Sequence, residues 1–86
     1  MTTQVVRQLI VDNFEIPAEW EELPDDLPLV ENYVLDTLDM LTLVSLIESN
    51  FAVPIPEEDV VLENFGTIAR IAAYVDLARR PSASAG

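Results

Sequence analysis

Val34-Leu35-Asp36-Thr37-Leu38-Asp39-Met40-Leu41 ends a polar, proline-spaced run and opens the most apolar stretch of the chain. Asp36 has the chemistry of an N-cap. Its carboxylate can accept an amide two or three residues on, and Asp39 stands at the third helical position, as in a capping box. Both negative charges then fall at the positive end of the helix dipole. The pattern predicts a helix beginning at Thr37 and places the Thr37 hydroxyl in the first turn, beside free amides that suit a phosphate-bearing group. The plainer alternative is a threonine tolerated in a first turn.

The helix is expected to run to Phe51. At about 100° per residue, Met40, Leu43, Val44, Ile47 and Phe51 gather on one side as a core stripe. The other side holds Leu38, Leu41, Thr42, Ser45, Glu48 and Ser49. Two leucines thus fall on the face that should meet water, beside Asp39 and Glu48. Single exposed leucines are common, and a covering loop would also account for them. The alternative is a small apolar docking patch ringed by carboxylates.

Upstream, Val5, Val6, Leu9, Ile10 and Phe14 repeat at helical spacing, which predicts a first helix from about Thr3 to Phe14, closed before Ile16-Pro17. From Glu15 to Leu35 the period is lost. Pro17, Pro24 and Pro28 punctuate an acidic run in which Trp20, Leu23, Leu27, Leu29, Val30 and Tyr33 recur as apolar anchors. This reads as a long loop pinned across a helical core, with a helical turn near Glu19 to Leu23. Its carboxylate spacing does not match an EF-hand, which needs ligands at alternate positions and a glycine at the turn.

Downstream, Pro56 followed by Glu57, Glu58 and Asp59 predicts a short third helix from Pro56 to about Leu62. Asn64, or the Gly66-Thr67 pair, opens a fourth helix with Ile68, Ile71, Ala72 and Val75 on one face and Arg79 and Arg80 near its end. Pro81 stops it before the small-residue stretch 82–86. The expected organisation is one all-α domain over 1–80 and a flexible tail over 81–86.

The 86 residues include 16 acids and four arginines, with no lysine, histidine or cysteine, for a formal charge of −12. Such a charge repels nucleic acid and anionic membranes and favours basic protein surfaces. Without histidine, lysine or cysteine the commonest general base, Schiff-base amine and thiolate are missing. A catalytic pair built from Asp36 and Asp39 has no nucleophile beside it. The chain reads as non-enzymatic, monomeric and cytoplasmic, with no disulfide and no metal site. No apolar run approaches the roughly 20 residues that span a bilayer.

Leu29-Val30-Glu31-Asn32-Tyr33-Val34-Leu35-Asp36-Thr37-Leu38-Asp39 resembles the loop and helix start of acyl and peptidyl carrier proteins. Leu43-Val44, Ile47-Glu48, Phe51, Val53-Pro54-Ile55-Pro56, Glu63-Asn64-Phe65, Ile68-Ala69 and Ile71-Ala72 are similar to the later blocks of that family in order and spacing. The resemblance covers about Val5 to Leu77 and is strongest to free-standing carriers served by adenylating enzymes. It implies a four-helix bundle with three longer helices, a short third one and a long first loop. It also implies 4′-phosphopantetheine on the residue at position 37, and a partner surface made of Asp36, Leu38, Asp39, Leu41, Thr42, Ser45 and Glu48.

The partners so implied are the basic surfaces of a phosphopantetheinyl transferase, an adenylating or acyl-transferring enzyme and a condensing enzyme. The pathway would make a secondary metabolite, by polyketide or nonribosomal peptide chemistry, or a fatty-acyl-like product. Two positions depart from the family. Thr37 stands where the family has the modified serine, and its extra methyl restricts the rotamer of the hydroxyl. Tyr33 stands where many relatives have glycine. Three readings remain: a carrier that a dedicated transferase loads, an acidic helical adaptor that docks without an arm, or a serine altered to hold the protein unmodified.

Overall fold

A computed structural model describes residues 2–20 and 22–79. The expected tail over 81–86, with Arg80, lies outside the described residues. The described residues form four α-helices, α1 (Thr2–Asn13), α2 (Thr37–Phe51), α3 (Leu62–Phe65) and α4 (Ile68–Arg79), together with 3-10 turns at Ala18–Trp20 and Glu57–Asp59. The described residues contain no strand. This is the four-helix arrangement with three longer members and one short one that the sequence implied, and α1 and α2 end within one residue of their expected limits.

α1 lies against α4 and α2, and α3 abuts α4. The core joins Val6 and Ile10 of α1, Leu43 and Ile47 of α2, Phe65 of α3, and Ile68, Ile71 and Val75 of α4, all fully or almost fully buried. Leu9 and Phe51 pack at its margin. At the far end of the bundle the Arg79 guanidinium lies 5.3 Å from the Phe51 ring centroid, a cation–π contact between the ends of α2 and α4.

The long first loop is pinned by the expected anchors except Tyr33, which takes a left-handed φ of 61° and stands 89% exposed rather than packed on the core. Leu23, Leu27, Leu29, Val34 and Leu35 are buried, with Trp20 and Val30 packed at the edge of the core. Its polar backbone is also stitched down. Arg7 pairs with Asp25 and donates from Nε to the Leu23 carbonyl at 3.2 Å, while Ala69 N–H donates to Asp25 O and Leu29 N–H to Gly66 O, each at 2.9 Å. A Cβ on Gly66 would stand 2.5 Å from the Leu62 carbonyl oxygen, so the last turn of α3 closes only over a glycine.

Two expected elements are placed differently. The helical turn in the loop spans Ala18–Trp20 rather than 19–23, because Leu23 takes a φ of 45° and leaves helical geometry to bury its side chain. The third helix is not continuous from Pro56. A 3-10 turn over Glu57–Asp59 is followed by extended Val61, and α3 starts only at Leu62. The adjacent β-branched Val60 and Val61 disfavour continuation. Tyr74 also holds the Asp59 carboxylate at 2.6 Å, and Asn64 donates to the Asp59 carbonyl at 2.9 Å. Of the two proposed starts of α4, the Gly66-Thr67 pair is the one found: Thr67 Oγ1 accepts Arg70 N–H at 3.1 Å, while Asn64 lies inside α3.

Candidate functional site

The start of α2 is a complete capping box. Asp36 Oδ1 accepts Asp39 N–H at 2.7 Å and Asp39 Oδ2 accepts Asp36 N–H at 3.2 Å. Asp36 is extended, with φ −101° and ψ −174°, so the chain enters the helix at a sharp corner. Two carboxylates thereby fix the corner and leave Thr37 as the first helical residue, exposed to solvent. The first two amides of the helix, on Thr37 and Leu38, have no carbonyl one turn back to bond to.

Beside Thr37 lies an open groove of about 680 Å³. It is lined by Met40 and Leu41 of α2, Val30 of the loop, and Val60, Val61, Leu62 and Phe65 of the segment into α3. Glu57 and Glu63 also line it. Thr37 is thus an accessible hydroxyl on the lining of a largely apolar groove. The stretch from Val60 to Phe65 was not among the site residues expected from the sequence, although the apolar triplet Val60-Val61-Leu62 after an acidic turn was its available signal. The break between the 3-10 turn and α3 is what sets Val60 and Val61 along it.

Of the residues expected as a partner face, Asp36, Leu38, Leu41, Thr42 and Ser45 are exposed on or beside α2. Leu38 is 73% exposed and Leu41 52%, so the covering-loop alternative for these leucines does not hold. Thr42 and Ser45 are exposed on the same helix, with Thr42 Oγ1 bonded back to the Leu38 carbonyl at 3.2 Å. Asp39 and Glu48 are half-buried rather than free. Glu48 turns toward the following loop, where its Oε2 accepts Ile55 N–H at 3.0 Å. Asp36, Asp39 and Glu48 therefore each have one carboxylate oxygen occupied by a backbone amide.

A phosphodiester on Thr37 fits this site in reach and in donors. Thr37 is exposed, the first-turn amides beside it lack intrahelical partners, and Thr37 lines the apolar groove. The capping carboxylates oppose an anion there, so a covalent bond rather than charge would have to hold it. Among the described residues no group of three or more acids is arranged to hold a metal ion, and no helix is long and apolar enough to cross a membrane.

Residues 4–75 match the family described as "Phosphopantetheine attachment site". An acyl carrier protein of Akkermansia muciniphila is 31% identical over 71 residues, covering 83% of this chain and 84% of that protein.

Proposed function

The chain belongs to the phosphopantetheine attachment-site family and is a carrier protein, not an enzyme, and from that premise we propose that Thr37 bears its prosthetic group. The group of this family is 4′-phosphopantetheine, which when bound supplies a terminal thiol for a thioester-linked cargo. The observation that carries the assignment of Thr37 is its position: an exposed hydroxyl, fixed by the Asp36–Asp39 box, on the lining of an apolar groove.

Loading takes coenzyme A as co-reactant. The Thr37 hydroxyl oxygen bonds to the phosphorus that carries the pantetheine, the pyrophosphate bond breaks, adenosine 3′,5′-bisphosphate leaves with the bond's electron pair, and the hydroxyl proton passes to a base of the transferase. The chain's own part is to hold that oxygen outward on a rigid corner. Met40, Leu41, Val60 and Phe65 then offer an apolar surface to whatever follows from Thr37.

Carriers work with pathway enzymes. Ours is the reading that they are a transferase, an adenylating or acyl-transferring enzyme and a condensing enzyme, of a secondary-metabolite or fatty-acyl-like pathway in the cytoplasm. We further read Asp36, Leu38, Asp39, Leu41, Thr42, Ser45 and Glu48 as the partner surface. The charge of −12 supports fast recruitment of basic enzymes, with small apolar contacts at Leu38 and Leu41 that release readily. A second reading, an acidic adaptor that never carries the arm, is favoured by the β-branched side chain at position 37 alone.

Intact mass after incubation with coenzyme A and several phosphopantetheinyl transferases decides between them. A gain of one phosphopantetheine on the parent, a faster gain on Thr37→Ser and none on Thr37→Ala is the expected result. No gain on either the parent or Thr37→Ser would sink the carrier assignment of position 37 and leave the adaptor.

A further inference from the structure

Among the described residues three non-glycine residues have positive φ: Leu23 at 45°, Tyr33 at 61° and Ala52 at 54°. For two of them the fold supplies a reason. Ala52 is the left-handed C-cap of α2 and carries only a methyl group. Leu23 buries its side chain completely and offers its carbonyl to Arg7.

Tyr33 is different. Its N–H donates to Val30 O at 3.1 Å and Val34 N–H donates to Leu29 O at 2.9 Å, the two bonds of a Schellman turn with Tyr33 at the left-handed position. Leu29 and Val34, the flanking pair, are both buried and fix the turn to the core. That position favours glycine or asparagine over a bulky side chain. Yet the Tyr33 side chain is 89% exposed and hydrogen-bonds to no described residue. The ring contributes nothing to the fold that offsets its backbone strain, and an unexplained strained residue points to a role outside the fold.

The location says what that role serves. Tyr33 is four residues before Thr37, on a turn held rigid by Val34, Leu35 and the capping box. Glu31, Asp36 and Asp39 surround it in sequence, and residues 8–69 contain no lysine or arginine. An exposed aromatic face among carboxylates fits a guanidinium, which stacks on the ring while the acids take its N–H groups.

We infer that Tyr33 is a partner-contact residue, its ring receiving an arginine of the enzyme that modifies Thr37. This rests on the assignment of Thr37 above. The modifying enzyme is the occupant because its reacting atoms must come within bonding distance of the Thr37 hydroxyl, so its surface has to overlie the turn that carries Tyr33. Partners that act on a cargo at the end of an arm have no such obligation.

The test measures binding of a phosphopantetheinyl transferase, without coenzyme A and at low salt, to the parent, Tyr33→Phe and Tyr33→Asn, together with the melting of each. Tyr33→Asn should melt no lower than the parent and bind roughly fivefold to thirtyfold more weakly. Tyr33→Phe, which keeps the ring face, should bind within about twofold of the parent. An asparagine variant that binds as well as the parent, or one that melts clearly lower, overturns the inference, as does a phenylalanine variant as weak as the asparagine one. The attachment assignment fails separately: loss of binding in Tyr33→Asn with no mass gain on Thr37→Ser overturns that assignment alone. Mass gain on Thr37→Ser with binding indifferent to Tyr33 overturns this inference alone.

Discussion

Glu48 and Ile55 are joined across the end of α2, the carboxylate Oε2 accepting the Ile55 N–H at 3.0 Å. The acid that faces outward from the helix therefore holds down the loop leading to the groove wall. Glu48→Ala should lose about 1.5–3 kcal/mol in urea unfolding, the usual range for a hydrogen bond to a charged group, and Glu48→Gln should recover part of it. A lysine at 48 would confuse loss of charge with loss of this bond. Asp39→Asn is the cleaner probe of docking, since the amide oxygen can still accept Asp36 N–H: it should slow association with a basic transferase at low salt and leave the melting temperature nearly unchanged. Unaltered association in Asp39→Asn would place the partner surface elsewhere.

Ile47 is fully buried among residues from all the longer helices. Ile47→Ala should cost about 2–5 kcal/mol, because the lost transfer energy is joined by a cavity that helices fixed at both ends cannot collapse. Chemical denaturation reads it directly. A cost below about 1 kcal/mol would mean that the α2 stripe is not the centre of the core.

Tyr74 ties α4 to the acidic 3-10 turn through its bond to Asp59 at 2.6 Å. Burial, followed by that hydrogen bond and the Asp59 charge, pushes the Tyr74 pKa up to about 12 from the usual 10.0. The folded value lies above the unfolded one, so this contribution to stability is fully present below pH 10 and is lost as pH rises toward 12. Tyr74→Phe should flatten stability over that window. In a Tyr33→Phe background Tyr74 is the only phenol, and its absorbance titration should fall late, near 12.

The parts of this molecule that were legible in the sequence are those whose causes lie within one helical turn. The Asp36–Asp39 box spans four residues and placed the start of α2 correctly, and the 3.6-residue stripes of α2 and α4 named their buried faces. What stayed hidden depends on distant partners. Asp25 O meets Ala69 N–H and Leu29 N–H meets Gly66 O across much of the chain, and neither carries a local signal. The break before α3 depends on Tyr74 reaching back to Asp59, so a proline-led acidic segment looked like one helix. The groove exists only once Val30, Met40 and Phe65 have been brought together, which is why Thr37 could be nominated from sequence but its surroundings could not. Glu48 was read by its helical angle alone, which says nothing of a side chain that bends toward Ile55.

The sharpest expectation concerns the methyl of Thr37. The capping box holds the backbone at this corner whatever the side chain, so Thr37→Ser should leave the fold intact and give a primary hydroxyl on the same groove lining. The β-branch of threonine restricts χ1 relative to serine and adds a methyl beside the nucleophilic oxygen. Displacement of a reacting oxygen by about 1 Å can cost on the order of a hundredfold in rate. Thr37→Ser should therefore accept the arm about a hundredfold faster than the parent under identical transferase and coenzyme A, as followed by intact mass. Ser45 and Ser49 are also exposed, but they lie further along α2, away from the free amides of its first turn, so Thr37→Ala should gain no mass. Equal loading rates for parent and Thr37→Ser would show that the corner already presents the threonine oxygen productively and that the methyl is no barrier.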